Sequence, residues 1–92
     1  EQLVPAEYGL SSNYPNPFNA STNISYQLPE AGKVSLEVYN LMGQKVAALV
    51  NGHKEAGQHT VTWNAASFSS GIYFYKLNVG DKVFTKRLTL LK

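Results

Sequence analysis

The stretch GIYFYKLNVGDKVFTKRLTLLK, residues 71–92, decides the fold. Gly71 to Val79 carries aromatic and β-branched side chains on both alternating faces, the pattern of a central strand packed on two sides. Gly80-Asp81 has the chemistry of a two-residue hairpin turn, since both residues tolerate the positive φ that such a turn demands. The chain is therefore predicted to return along Lys82 to Leu91 as a final antiparallel strand. Its alternation contains a conflict, because Phe84, Leu88 and Leu90 share a face with Lys86. Such a lysine is accommodated by a β-bulge that shifts the register or by an edge position from which its stem snorkels. The bulge is the expectation.

Moving outward, His59, Val61 and Trp63 alternate with Thr60 and Thr62 as in a half-buried strand, preceded by a polar loop predicted over 51–57. Val34, Leu36 and Val38 alternate with Ser35 and Glu37, and Asn40 to Gly43 supplies a tight connection into Lys45 to Val50. Leu41 to Val50 is also rich in helix formers, but its length and Gly43 weigh for a hairpin. Ile24, Tyr26 and Leu28 alternate with Asn23, Ser25 and Gln27, giving one wet face and one buried face. Short turns and almost no helical signal indicate an all-β chain. The predicted architecture is an antiparallel immunoglobulin-like β-sandwich of six strands, or seven if residues near Tyr8 to Leu10 pair.

Ahead of these strands, residues 13–22 read NYPNPFNAST. Pro15 and Pro17 each fix a backbone angle, and Tyr14 and Phe18 offer apolar surface to press the segment onto a core, so an anchored loop is expected. Residues 1–12 have the Pro, Gly and Ser content of a linker, with the domain proper over 13–92.

Composition narrows the function. The 92 residues fit one domain, with 43% apolar and 15% charged residues and no cysteine. At the usual stability per residue the whole fold is worth about 5 to 14 kcal/mol. A net charge of +2 is too small for a nucleic-acid footprint, although Lys82, Lys86, Arg87 and Lys92 make the C-terminus locally basic. The longest apolar run, Val46 to Val50, is far too short to span a bilayer. The N-terminal residues lack the order of a secretory signal, so any such signal is expected upstream of Glu1.

No catalytic constellation emerges. The sole aspartate, Asp81, belongs to a hairpin tip, and His53 and His59 lack the spacing of zinc ligands. No calcium loop or phosphate-binding glycine loop is present. Trp63 with Tyr14, Tyr39, Tyr73 and Tyr75 would make a sugar-stacking platform if exposed, but the strand parity of Trp63, Tyr73 and Tyr75 beside Val61 and Leu77 favours core packing. The basic end, Lys86, Arg87 and Lys92, could bind acidic lipid or nucleic acid, but on charge alone it is read as protection of a sheet edge against aggregation.

Five blocks, NYPNPFNAST with the strand after it, VSLEVYNLMGQKVAALV at 34–50, GQHTVTWNA at 57–65, SSGIYFYKL at 69–77 and TKRLTLLK at 85–92, together resemble one family. It is the type A C-terminal sorting domain of the type IX secretion system, found on exported proteins of Bacteroidetes and related bacteria. The resemblance implies a non-catalytic address label, without cofactor, metal, nucleic acid or small-molecule substrate. An outer-membrane translocation machinery reads it, and a surface sortase-like peptidase removes it from the passenger, with cleavage expected before about Asn13. The passenger would cross the periplasm and outer membrane to the cell surface or medium. Recognition is then expected at Gly71, Tyr73, Lys86, Arg87, Leu88, Leu90 and Lys92, with the last strand adding to a partner's sheet. Ala20 replaces a proline common in the family, which should loosen the loop around it. The rival reading is a carbohydrate-binding or spacer module, since immunoglobulin-like sandwiches serve as both and hook-assembly domains share part of the VYN-x-x-G-Q pattern.

Overall fold

Residues 4–92 are described by the computed structural model, and the first part of the expected linker, residues 1–3, lies outside them. The alternating segments form seven strands: β1 (Gly9–Leu10), β2 (Ser21–Leu28), β3 (Gly32–Tyr39), β4 (Lys45–Lys54), β5 (Gly57–Asn64), β6 (Gly71–Val79) and β7 (Lys82–Leu90). They make two antiparallel sheets, ordered β1-β2-β5 and β4-β3-β6-β7, packed as an immunoglobulin-like β-sandwich. Pairing begins at Gly9, where Gly9 and Leu10 face Gln27 and Tyr26. No helix of the described residues is long and apolar enough to cross a membrane.

Alternation places one row of each strand between the sheets. Ile24 and Leu28 of β2, Val34, Leu36 and Val38 of β3, and Tyr75 and Leu77 of β6 have no exposed surface. Burial of each such large apolar side chain stabilises the fold by about 1.5 to 3 kcal/mol. β6 lies between β3 and β7, as the paired apolar faces indicated. Only its odd residues enter the core, however; Ile72, Phe74 and Lys76 stay half-buried on the outer surface with no third layer over them.

The β6–β7 turn is the two-residue Gly80-Asp81 hairpin, with Val79 opposite Lys82. The expected bulge at Lys86 is absent: the register runs unbroken from Gly71↔Leu90 to Val79↔Lys82. β7 is a sheet edge, so Lys86 keeps its inward parity and remains half-buried, a position in which a lysine stem can lie along apolar surface while its ammonium reaches water. Irregularity falls instead on β4, where Leu49 and Val46 are the unmatched residues opposite the Leu36/Glu37 and Val38/Tyr39 steps. Nor is 51–57 a loop. Asn51 to Lys54 continue β4 opposite Gly32 to Ser35, since an edge strand tolerates polar residues without ceasing to pair.

Residues 13–20 are anchored as expected, but by Phe18 and not by Tyr14, which is 78% exposed. Phe18 is 2% exposed, its ring 5.8 Å from that of Trp63. Asn13 is buried, donating from Nδ2 to Thr22 Oγ1 (3.0 Å) and to the Pro15 carbonyl (3.1 Å). Ala20 does not loosen the segment. It stands at φ 74° with its carbonyl accepting from the Ala65 amide, a left-handed conformation closed to proline, whose ring locks φ near about −65°.

The Tyr75 hydroxyl donates to the Ser11 carbonyl at 2.6 Å and fastens β6 to the first sheet. Burial pushes this phenol up to about 12. The unfolded chain releases the proton near pH 10, so this contribution is complete below that pH and is lost as pH rises toward the folded value. The difference corresponds to about 3 kcal/mol. Denaturant titrations at several alkaline pH values are expected to show wild type losing roughly that much more than Tyr75→Phe between pH about 10 and about 12. Parallel pH profiles would contradict the buried phenol.

Candidate recognition surface

The residues singled out from the sequence separate into three places. Tyr73, Leu88 and Leu90 are buried at 8%, 0% and 0%. Tyr73 packs edge-on against Trp63, centroids 5.5 Å apart, and its hydroxyl donates to the Ser69 carbonyl at 2.7 Å. This backward bond is the tyrosine-corner arrangement of immunoglobulin-like domains. Gly71 opens β6 at φ 154°, an angle side-chain-bearing residues rarely adopt, and turns the chain from the 65–70 loop into the strand. These four residues shape and hold the end of β6–β7.

Arg87, by contrast, projects from the outer face of the four-stranded sheet. There β4, β3, β6 and β7 contribute the row Lys45–Tyr39–Phe74–Arg87. Lys76, on the next row, places its ammonium 5.0 Å from the Tyr39 ring centre. The Tyr39 hydroxyl donates to Glu37 Oε1 at 2.5 Å, and Lys45 Nζ lies 3.4 Å from Glu37 Oε2. The hydrogen bond from Tyr39, ahead of the nearby ammonium groups, holds the Glu37 carboxyl below its usual range.

Lys92 occupies a third place. Its amide donates to Ser70 Oγ at 2.9 Å, and its ammonium donates to the Ala66 carbonyl. The last residue is thereby fastened to the 65–70 loop.

Backbone groups supply the other element of the surface. In the β6–β7 ladder the even residues of β7 bond to β6, which turns the N–H and C=O groups of Val83, Thr85, Arg87 and Thr89 toward the open side. The end of that edge is already occupied. The Phe18 amide donates to the Thr89 carbonyl (3.0 Å), the Leu91 amide to the Phe18 carbonyl (2.8 Å), and the Thr89 amide to Asn16 Oδ1 (3.1 Å). Phe18 and Leu90 form a parallel bridge. Among the described residues the pairing edge left open is therefore 83–87, flanked by Lys86 on one face and Arg87 on the other. The covering by Asn16 and Phe18 was not foreseen, because parallel pairing between residues more than seventy positions apart leaves no local periodicity.

Other candidates take structural roles. Trp63, Tyr73 and Tyr75 are buried in the core, while the exposed Tyr14 lies against β2 and the half-buried Tyr39 ends β3 in the other sheet, so the five rings form no common stacking platform. His59 stacks on Tyr26 at 5.1 Å with Nε2 at 2.8 Å from the Glu55 carbonyl, and His53 Nε2 lies 3.4 Å from Glu55 Oε2. Among the described residues no three His, Asp or Glu side chains converge as metal ligands would.

A family model described as a secretion system C-terminal sorting domain matches residues 12–90. No curated protein matches the chain.

Proposed function

The chain belongs to the type IX secretion C-terminal sorting domain family, and from that premise we propose that it directs an upstream passenger across the outer membrane to the cell surface or medium. It performs no chemistry of its own. The translocation machinery reads it and a surface sortase-like peptidase releases it, cutting ahead of the sandwich where exposed backbone is accessible. The observation that carries this reading is the family match over nearly the whole chain. What the fold adds is a docking mode: a strand of the machinery pairs with the open edge at Val83, Thr85 and Arg87, while Lys86 and Arg87 meet its acidic side chains. Gly71, Tyr73, Leu88, Leu90 and Lys92 support recognition by holding that edge in shape.

Thr85→Pro tests the docking mode. The Thr85 N–H points away from β6, so proline there keeps the internal ladder but denies the edge a donor. A tagged passenger bearing the chain is expected at the cell surface, and the Thr85→Pro variant is expected to lower that amount about ten-fold or more while the isolated domain keeps its circular dichroism and melting temperature. Undiminished export of the variant would sink strand addition, and failure of the intact fusion to be exported would sink the sorting role.

A further inference from the structure

The two ends of the sandwich differ in chemistry. At one end the β2–β3, β4–β5 and β6–β7 connections carry Glu30, Glu55 and Asp81, with Glu7 beside β1, and Lys33, Lys54 and Lys82 at the adjoining strand ends nearly balance them. At the other end lie the β3–β4 turn, the 65–70 loop and the residues that close β7. Glu37 is the only side-chain carboxylate among the described residues in that half, and its two oxygens are engaged by Tyr39 and Lys45. Lys45, Arg87 and Lys92 stand there, with Lys76 and Lys86 behind them.

The same end exposes apolar side chains. Of the six large hydrophobic residues left exposed among those described, four (Tyr14, Leu41, Met42 and Leu91) are at or beside it. Leu41 and Met42 are 66% and 79% exposed on a turn built to hold them out. Asn40 Oδ1 accepts from the amides of Met42 (2.9 Å) and Gln44 (3.0 Å), and Asn40 Nδ2 donates to Gln44 Oε1 (2.9 Å). The Gly43 amide donates to the Asn40 carbonyl at 3.0 Å, and Gly43 adopts φ 82° to close the turn. So many bonds spent on a five-residue turn fix two apolar side chains in water, where they gain nothing for the fold.

We propose that this end of the domain seats on an anionic lipid surface, with Leu41 and Met42 entering the boundary between headgroups and acyl chains. A protein partner would have to offer matched pockets to such anchors. Here the anchors stand exposed, with cations behind them and the engaged Glu37 as the one nearby acid among the described residues. That arrangement matches a deformable, negatively charged plane, to which apolar insertion and paired cations both contribute. Lipid seating is independent of export, since it requires only the domain and a bilayer.

The test is co-sedimentation of the 92-residue chain with vesicles of phosphatidylglycerol and phosphatidylcholine in roughly equal parts, and with phosphatidylcholine alone. Binding is expected to the anionic vesicles only, falling steeply between about 0.05 and about 0.5 M salt. The double variant Leu41→Ser, Met42→Ser is expected to bind about ten-fold more weakly, and Val4→Ser, at an exposed apolar residue ahead of β1, to bind as wild type. Because both sites are exposed, melting curves should show all three proteins folded. Absence of anionic-vesicle binding, or equal binding by the double variant, would overturn the proposal. Export lost in the double variant without any vesicle binding would also overturn it, assigning the tip to a protein surface instead.

Discussion

A chain that stops at Arg87 is expected to be unfolded. The five missing residues include Leu88 and Leu90, both with no exposed surface, and cutting either to alanine alone would cost about 2 to 5 kcal/mol. Truncation also removes the ladder opposite Gly71 to Tyr73 and the partners of both Phe18 backbone groups. The sum exceeds most of the about 5 to 14 kcal/mol available to a domain of this size. Circular dichroism without a cooperative melt, and collapsed amide dispersion in the NMR spectrum, are the expected readouts. Lys92→Ala, which removes only the exposed ammonium contact to Ala66, should cost about 1 kcal/mol or less. A truncated domain that still melted cooperatively would contradict the packing described here. Loss of export on truncation would therefore report a lost fold and not a lost handle, which is why the edge itself is better probed at Thr85.

Phe18→Ala carries the second large effect. Its ring fills the space between Trp63 and the end of β7, and removal of a buried phenylalanine costs about 3 to 5 kcal/mol. For a domain of this length the melting temperature should fall by about 15 °C or more. The effect should also be local, because the Phe18 backbone covers the strand edge. Hydrogen exchange of the Leu91 amide, bonded to the Phe18 carbonyl, is expected to accelerate beyond the global loss of stability. Tyr14→Ala, four positions earlier and largely in water, should change stability by no more than about 0.5 kcal/mol. Equal melts for the two variants would show that Phe18 does not anchor the segment.

Most of the fold was legible because its signals are local. Alternation over Ile24–Leu28 and Val34–Val38 named inward faces, and Gly80-Asp81 named a turn that set the β6–β7 register. Three readings failed where sheet position overrides local pattern. Lys86 looked like a register defect because edge exposure cannot be read from parity. Asn51 to Lys54 looked like a loop because a strand with one wet side and an open edge needs few apolar residues. The second apolar face of β6 looked like a buried one, yet Phe74 and Ile72 lie on the outside of the sandwich. The site was legible in part. Tyr73, Leu88 and Leu90 were singled out as recognition residues, but their chemistry is that of the core, whereas the open backbone of Val83 to Arg87 has no side-chain signature. The outward placement of Leu41, Met42 and Phe74 was not legible, because outer apolar residues resemble core residues until the layers are known.

The bridge between Phe18 and Leu90 joins the beginning of the domain to its final residues. During synthesis the Asn-Pro-Phe loop leaves the ribosome long before its partner strand exists and must wait for nearly the entire domain to follow. A polypeptide released prematurely, at any codon before those for Leu88 to Leu91, has nothing for that loop to close upon. Arrival of Leu88 to Leu91 is thus recorded in one geometric event, the seating of Phe18 against Leu90.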